Sequence, residues 1–87
     1  PDAISILGNY PNPFNSSTII KIGGSVNIES NVSIFDVTGR LINNLPVTQN
    51  NLVWDGRDSN GKTVATGFYF AKLNGLNRAT IKMLLMK

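Results

Sequence analysis

Cysteine and histidine are both absent from these 87 residues. Without cysteine there is no disulfide framework and no thiolate metal site, and the redox character of the compartment stays unread. Without histidine the commonest general base and the commonest metal ligand are gone. Seven serines (5, 16, 17, 25, 30, 33 and 59) remain as nucleophiles with no imidazole to activate one. Carboxylates are scarce. The one near pair, Asp55 and Asp58, shares a turn, whereas a glycosidase sets its two acids across a cleft. No long apolar run exists: a run such as Met83 to Met86 falls far short of the roughly 20 residues of a membrane-spanning helix. The chain opens Pro1-Asp2-Ala3, with neither an initiator methionine nor a basic start followed by an apolar block, so it reads as a piece of a larger exported protein whose export signal lies elsewhere. These absences predict one small non-catalytic domain over residues 1–87 with no cofactor. A core at this length is thin, since about 60–65% of the unfolded chain's surface is buried.

Charge is unevenly placed. All five acids (Asp2, Glu29, Asp36, Asp55, Asp58) lie in residues 1–58, which carry net −2, while residues 59–87 carry +5 and no acid. A basic terminal third suits an acidic protein, an anionic lipid surface or nucleic acid. It equally suits outward lysines that keep edge strands from pairing, which is the reading preferred. Nucleic-acid binding is not expected. It needs exposed aromatics among the bases, and of Phe68, Tyr69 and Phe70 one face must be core.

What is present alternates with a period of two. Thr18, Ile20 and Ile22 share a face; so do Val32 and Ile34, Leu52 and Trp54, Tyr69, Ala71 and Leu73, and Ala79, Ile81, Met83 and Leu85. Such runs, bounded by Gly, Asn and Pro and rich in β-branched and aromatic residues, predict half-buried strands. About seven strands with turns every 8–12 residues predict an all-β, immunoglobulin-like antiparallel sandwich. No internal repeat is visible. Residues 79–87 also fit an amphipathic helix, but the clean alternation after a glycine-containing turn favours a strand.

The punctuation carries its own expectations. Thr38-Gly39 is a tight turn with Asp36 placed to bind its backbone. Asn43-Asn44 and Asn50-Asn51 read as loops, and Gly75-Leu76-Asn77 as a turn. Ser59-Asn60-Gly61 reads as a hairpin of the primed type, where Asn-Gly takes positive φ. In Tyr10-Pro11-Asn12-Pro13-Phe14, two prolines remove two donors and fix two φ angles, predicting a rigid corner with Tyr10 and Phe14 tucked against the sandwich rim. Residues 55–61 faintly match the tail of a calcium loop at Asp55, Asp58 and Asn60, but Gly56 stands at its opening position and the closing Glu is missing. Trp54, where a strand meets a turn, is expected to anchor the core. Asn15-Ser16-Ser17 and Asn31-Val32-Ser33 fit a glycosylation sequon, a match that twelve asparagines make cheap.

Taken together, Tyr10-Pro11-Asn12-Pro13-Phe14-Asn15, a strand from Ser17, Val32 to Arg40, Trp54-Asp55-Gly56-Arg57-Asp58, Asn60-Gly61, Val64, Gly67-Phe68-Tyr69-Phe70 and the final basic-apolar strand resemble the type A C-terminal sorting domain of the type IX secretion system. That family shades into the immunoglobulin-like domain of the flagellar hook-capping protein. The resemblance implies a non-catalytic tag that carries its parent protein through the periplasm to the cell surface or beyond. Its partners would be the outer-membrane secretion and sortase machinery and the cargo domain upstream. Gly39, Gly61 and Gly67 match family positions, with turn geometry as their implied role. Gly67-Phe68-Tyr69 is similar to a tyrosine corner.

On that pattern the recognised segment is Lys82-Met83-Leu84-Leu85-Met86-Lys87, with Lys82, Leu84, Leu85, Met86 and Lys87 as its contact residues. A terminal strand is an edge with unpaired backbone groups, open to strand addition by a receptor or to self-association. Two other readings remain at this stage. One is a structural immunoglobulin-like module, as in hook-cap assembly or a spacer. The other is a carbohydrate-binding accessory domain, for which Trp54 and Tyr69 would be the stacking rings.

Overall fold

A computed structural model describes residues 4–25, 30–74 and 79–87. It contains seven strands: β1 (Ser5–Tyr10), β2 (Thr18–Gly23), β3 (Asn31–Asp36), β4 (Leu41–Pro46), β5 (Asn51–Trp54), β6 (Gly67–Asn74) and β7 (Thr80–Leu85). They form a three-stranded sheet in the order β1-β2-β5 and a four-stranded sheet in the order β4-β3-β6-β7. Every pairing within them is antiparallel. No helix occurs among the described residues, so the predicted sandwich forms and residues 80–85 are a strand. The expected turn at Gly75-Leu76-Asn77 lies outside the described residues.

The period of two explains the layering. Thr18, Ile20 and Ile22 of β2 are buried, as are Val32 and Ile34 of β3, Leu52 and Trp54 of β5, Tyr69, Ala71 and Leu73 of β6, and Met83 and Leu85 of β7. Each aliphatic side chain removed from water in this way contributes about 1.5–3 kcal/mol. Phe14, Trp54 and Tyr69 sit at one end of the core, with ring centroids 5.6 Å (Phe14–Trp54) and 5.4 Å (Trp54–Tyr69) apart and tilted by 60° and 68°. Tilted pairs of this kind add about 0.5–1.5 kcal/mol beyond burial.

Three local expectations need correction. Asn43 and Asn44 are inside β4, not in a loop, and Asn51 opens β5. β4 borders its sheet, and its asparagines hydrogen-bond to either side instead of breaking the strand: Asn43 Nδ2 donates outward to the Arg57 carbonyl, and Asn44 Oδ1 accepts from Ser33 Oγ on the neighbouring β3. Tyr10 does not tuck in; it ends β1 with 72% of its surface exposed, while Phe14 keeps 2%. Ser59-Asn60-Gly61 is not a primed hairpin, because Gly61 alone of the three takes positive φ, 81°.

The turn that forms there also revises the absence of repeats. Gly61 N–H donates to the Asp58 carbonyl, Asp58 N–H to the Lys62 carbonyl, and Asp58 Oδ1 accepts from the N–H groups of Asn60 and Lys62. Asp36-Val37-Thr38-Gly39-Arg40 repeats this bond for bond: Gly39 N–H to the Asp36 carbonyl, Asp36 N–H to the Arg40 carbonyl, and Thr38 and Arg40 N–H to Asp36 Oδ1. Gly39 has φ 85°. An Asp that accepts from the backbone two and four residues on, with Gly in the left-handed position, is thus a five-residue unit used twice.

Candidate functional site

The expected recognition segment is β7 with the two residues after it. By alternation Met83 and Leu85 point into the core, where both are almost wholly buried. Leu85 therefore drops out of the outward-facing set. Lys82 is exposed, Leu84 is half-buried, and Met86 is 53% exposed. Lys87 lies beside an open hollow of about 260 Å³ lined also by Asn15, Ser16, Asp55, Gly56, Arg57 and Leu85. Its N–H donates to Thr66 Oγ1.

The backbone edge of β7 is not open. β7 borders the four-stranded sheet, but residues 12–14 run along it. Phe14 N–H donates to the Leu84 carbonyl (2.9 Å) and Met86 N–H donates to the Phe14 carbonyl (2.8 Å). Leu84 N–H donates to Asn12 Oδ1 (3.0 Å), and Asn12 Nδ2 donates to the Lys82 carbonyl (3.3 Å). The Lys82 carbonyl, both backbone groups of Leu84 and the Met86 N–H, which strand addition would need, are thereby engaged, and the expectation of an open edge along these groups is overturned. Phe14, opposite Leu85 in a parallel bridge, anchors this strap in the core.

Other motif residues hold the strap in place. Both peptide bonds preceding Pro11 and Pro13 are cis. Buried Thr18 donates its hydroxyl to the Pro11 carbonyl (2.8 Å) and accepts from Asn9 Nδ2 (3.0 Å). Gly56 has φ 69°, and a Cβ there would stand 3.1 Å from the Ser16 carbonyl oxygen, so a side chain would be strained by the backbone and would push against the segment that follows the strap. Trp54 Nε1 donates to the Arg57 carbonyl. Gly67 opens β6 opposite Leu85.

Two titrating groups respond to this framework. Tyr69 makes the expected tyrosine corner, its hydroxyl donating to the Ala65 carbonyl at 2.6 Å. Burial pushes the phenol above its ordinary value, with the Asp36 charge acting in the same direction. The Asp36 carboxyl is held below its ordinary value chiefly by the Thr38 hydroxyl. Slight desolvation opposes that lowering, while the Arg40 and Thr38 N–H groups and the Arg40 guanidinium reinforce it.

The weaker site readings lose their geometry. Asp58 Oδ1 is committed to its own turn, and Asp55 sits 3.6 Å from Arg57 Nε. No three acidic, histidine or cysteine residues converge among the described residues, so Asp55, Asp58 and Asn60 serve a turn and give the calcium reading no support. Trp54 and Tyr69 keep 0% and 6% of their surface, which removes both as sugar-stacking platforms. No helix among the described residues is long and apolar enough to cross a membrane.

The fold is shared with solved structures. PorZ, described as an essential bacterial surface component of the type-IX secretion system of Porphyromonas gingivalis, superposes with a TM-score of 0.74 at 24% identity over 99% of this chain and 12% of PorZ. Dimeric latent PorU from the same bacterium gives 0.72 at 26% identity over 98% of this chain and 9% of PorU. The chain thus matches only a small part of either protein. CopC from Methylosinus trichosporium OB3b gives 0.58 at 19% identity, over 95% of this chain and 89% of CopC, a likeness of fold alone. Among curated proteins none matches in sequence. The profile of the secretion system C-terminal sorting domain matches residues 9–87, and the chain belongs to that family.

Proposed function

We propose that this domain is a non-catalytic sorting signal for type IX secretion, read in its folded state, which takes the protein joined to it through the periplasm to the cell surface or outside. The observation that carries this is the family match, which spans residues 9–87 and so includes both the strap and β7. PorZ, a type-IX secretion component bearing a similarly folded region, supports the choice of pathway. The contacts assigned to the machinery are Lys82, Leu84, Met86 and Lys87. A folded signal suits a closed edge, since backbone groups held by Asn12 and Phe14 cannot pair with a receptor while the strap is in place.

The test is a reporter cargo fused ahead of the domain in a type IX-secreting bacterium. Removal of Lys82–Lys87 should leave the cargo in the periplasm. So should the double substitution Leu84→Ser, Met86→Ser, in a domain whose melting shows it still folds. Surface appearance of the reporter at the unmodified level in both cases contradicts the proposal.

A further inference from the structure

We infer that the outer face of the four-stranded sheet is a docking surface for an acidic protein partner, with β7 read there through its side chains. The inference rests on the sorting reading and names the surface that reading would use. Strand register places Leu41, Phe35, Phe70 and Lys82 in one cross-strand row on this face, and Phe68 and Leu84 side by side in the next. Phe35, Phe70 and Leu84 are half-buried; Leu41 and Phe68 are 54% and 44% exposed. Further along the face the character changes to Asn44, Ser33, Lys72 and Thr80, where Asn74 Nδ2 donates to Ser33 Oγ and Ser33 Oγ donates to Asn44 Oδ1. The amide and hydroxyl groups of that half satisfy one another, whereas in the aromatic half Leu41 and Phe68 stay exposed among the described residues. Contiguous exposed aromatics beside aliphatics are the composition of an interface centre.

Charge decides the occupant. Lys82 Nζ stands 4.9 Å from the Phe68 ring centroid, a cation–π arrangement that fixes the ammonium over the apolar rows. Among the described residues neither Lys82 nor Lys72 has an ion-pair partner, and the one carboxylate bordering the face, Asp36, is already held by Arg40 and its own turn. A second copy laid face to face would oppose lysine to lysine. A simple polyanion would leave the phenylalanines uncovered. A protein surface presenting apolar side chains flanked by Asp or Glu satisfies both halves of the patch.

The test places the photo-crosslinker benzoylphenylalanine at position 68, or at exposed Val53 on the other sheet, in the full-length cargo-bearing protein inside type IX-secreting cells. Irradiation at 68, not at 53, should yield one heterologous adduct whose crosslinked peptide, read by mass spectrometry, carries acidic residues. That adduct should fall about tenfold with Lys72→Glu, Lys82→Glu, persist with Lys82→Arg, and return when an acid in the captured segment is changed to Lys. Both lysines lie on the surface, and unchanged melting of the reversed variant confirms its fold. No adduct at 68, an adduct of two copies, capture at 53 alone, or capture indifferent to charge reversal each overturns the docking surface. If those results come while the Lys82–Lys87 deletion still blocks export, the sorting reading stands without it. If the deletion has no effect, the sorting reading itself falls.

Discussion

β4 and β7 border the same sheet, yet what lies along their outer edges differs in kind. Along β7, residues 12–14 make four hydrogen bonds from the strap to residues 82–86, and the strap is pinned by Phe14 inside the core. Along β4, the Asp58 turn contributes Ser59 N–H to the Ile42 carbonyl and accepts Asn43 Nδ2 at the Arg57 carbonyl. One cover carries its own buried aromatic, Phe14; the other is tied to the core only through the Trp54 indole N–H on the Arg57 carbonyl and otherwise by the bonds of its own turn. An exposed sheet edge invites association with other chains, and here the edge of the proposed recognition segment carries the stronger cover. The outward side chains Lys82, Leu84 and Met86 thus remain available while the backbone groups of Leu84 do not.

The contrast can be broken at graded cost. Phe14→Ala removes the pin and leaves a cavity beside Trp54; it should cost about 3–5 kcal/mol in denaturant unfolding and expose β7 to concentration-dependent self-association seen by light scattering. Asn12→Ala strips the two side-chain bonds to Lys82 and Leu84 but keeps Phe14, so a loss of about 1–2 kcal/mol is expected by the same unfolding measurement. Asn43→Ala, its counterpart on β4, loses one bond to the covering turn, at the Arg57 carbonyl, and one to the adjacent Asn44 N–H, both exposed, and should cost about 0.5–1 kcal/mol, with no gain in association. If Asn43→Ala proves the more damaging of the two, the ranking of the edges is reversed.

Acid provides a gentler probe of the β3–β4 turn. The Asp36 carboxyl titrates lower in the folded domain than its ordinary value of 3.8. The unfolded chain therefore binds that proton more readily, and the stabilisation from Asp36 is complete above the ordinary value and lost as pH falls through the lower folded one. In thermal melts the advantage of the unmodified domain over Asp36→Asn should hold at neutral pH and shrink below about pH 3.8. An advantage that grows in acid would contradict the assignment.

Sequence and fold agree wherever one face of a strand is buried. β2, β3, β6 and β7 declare themselves through Ile20/Ile22, Val32/Ile34, Ala71/Leu73 and Met83/Leu85, because a period of two matches the pleat. β1 and β4 stay hidden because their alternation is interrupted: a register shift falls between Ile6 and Gly8 of β1, and in β4 the Asn43-Asn44 pair satisfies itself sideways. Asp36 and Thr38-Gly39 are legible since their bonds span four residues or fewer. The twin at Asp58 escapes notice because Asn-Gly suggests another turn, while the backbone places only Gly61 at positive φ. The closed edge of β7 is the hardest to foresee. Asn12 reads as a corner residue, and its partners stand 70 and 72 positions away, where no local pattern reaches.

Hydrogen exchange at individual amides of the native domain tests the closed edge most directly. Leu84 and Met86 donate to Asn12 Oδ1 and to the Phe14 carbonyl, and both amides should be protected like those of the interior strands. In Asn12→Ala the Leu84 amide alone should become fast while Met86 stays slow. Exchange of both amides at the rate of free peptide in the unmodified domain would mean that β7 is an open edge and that the account is wrong.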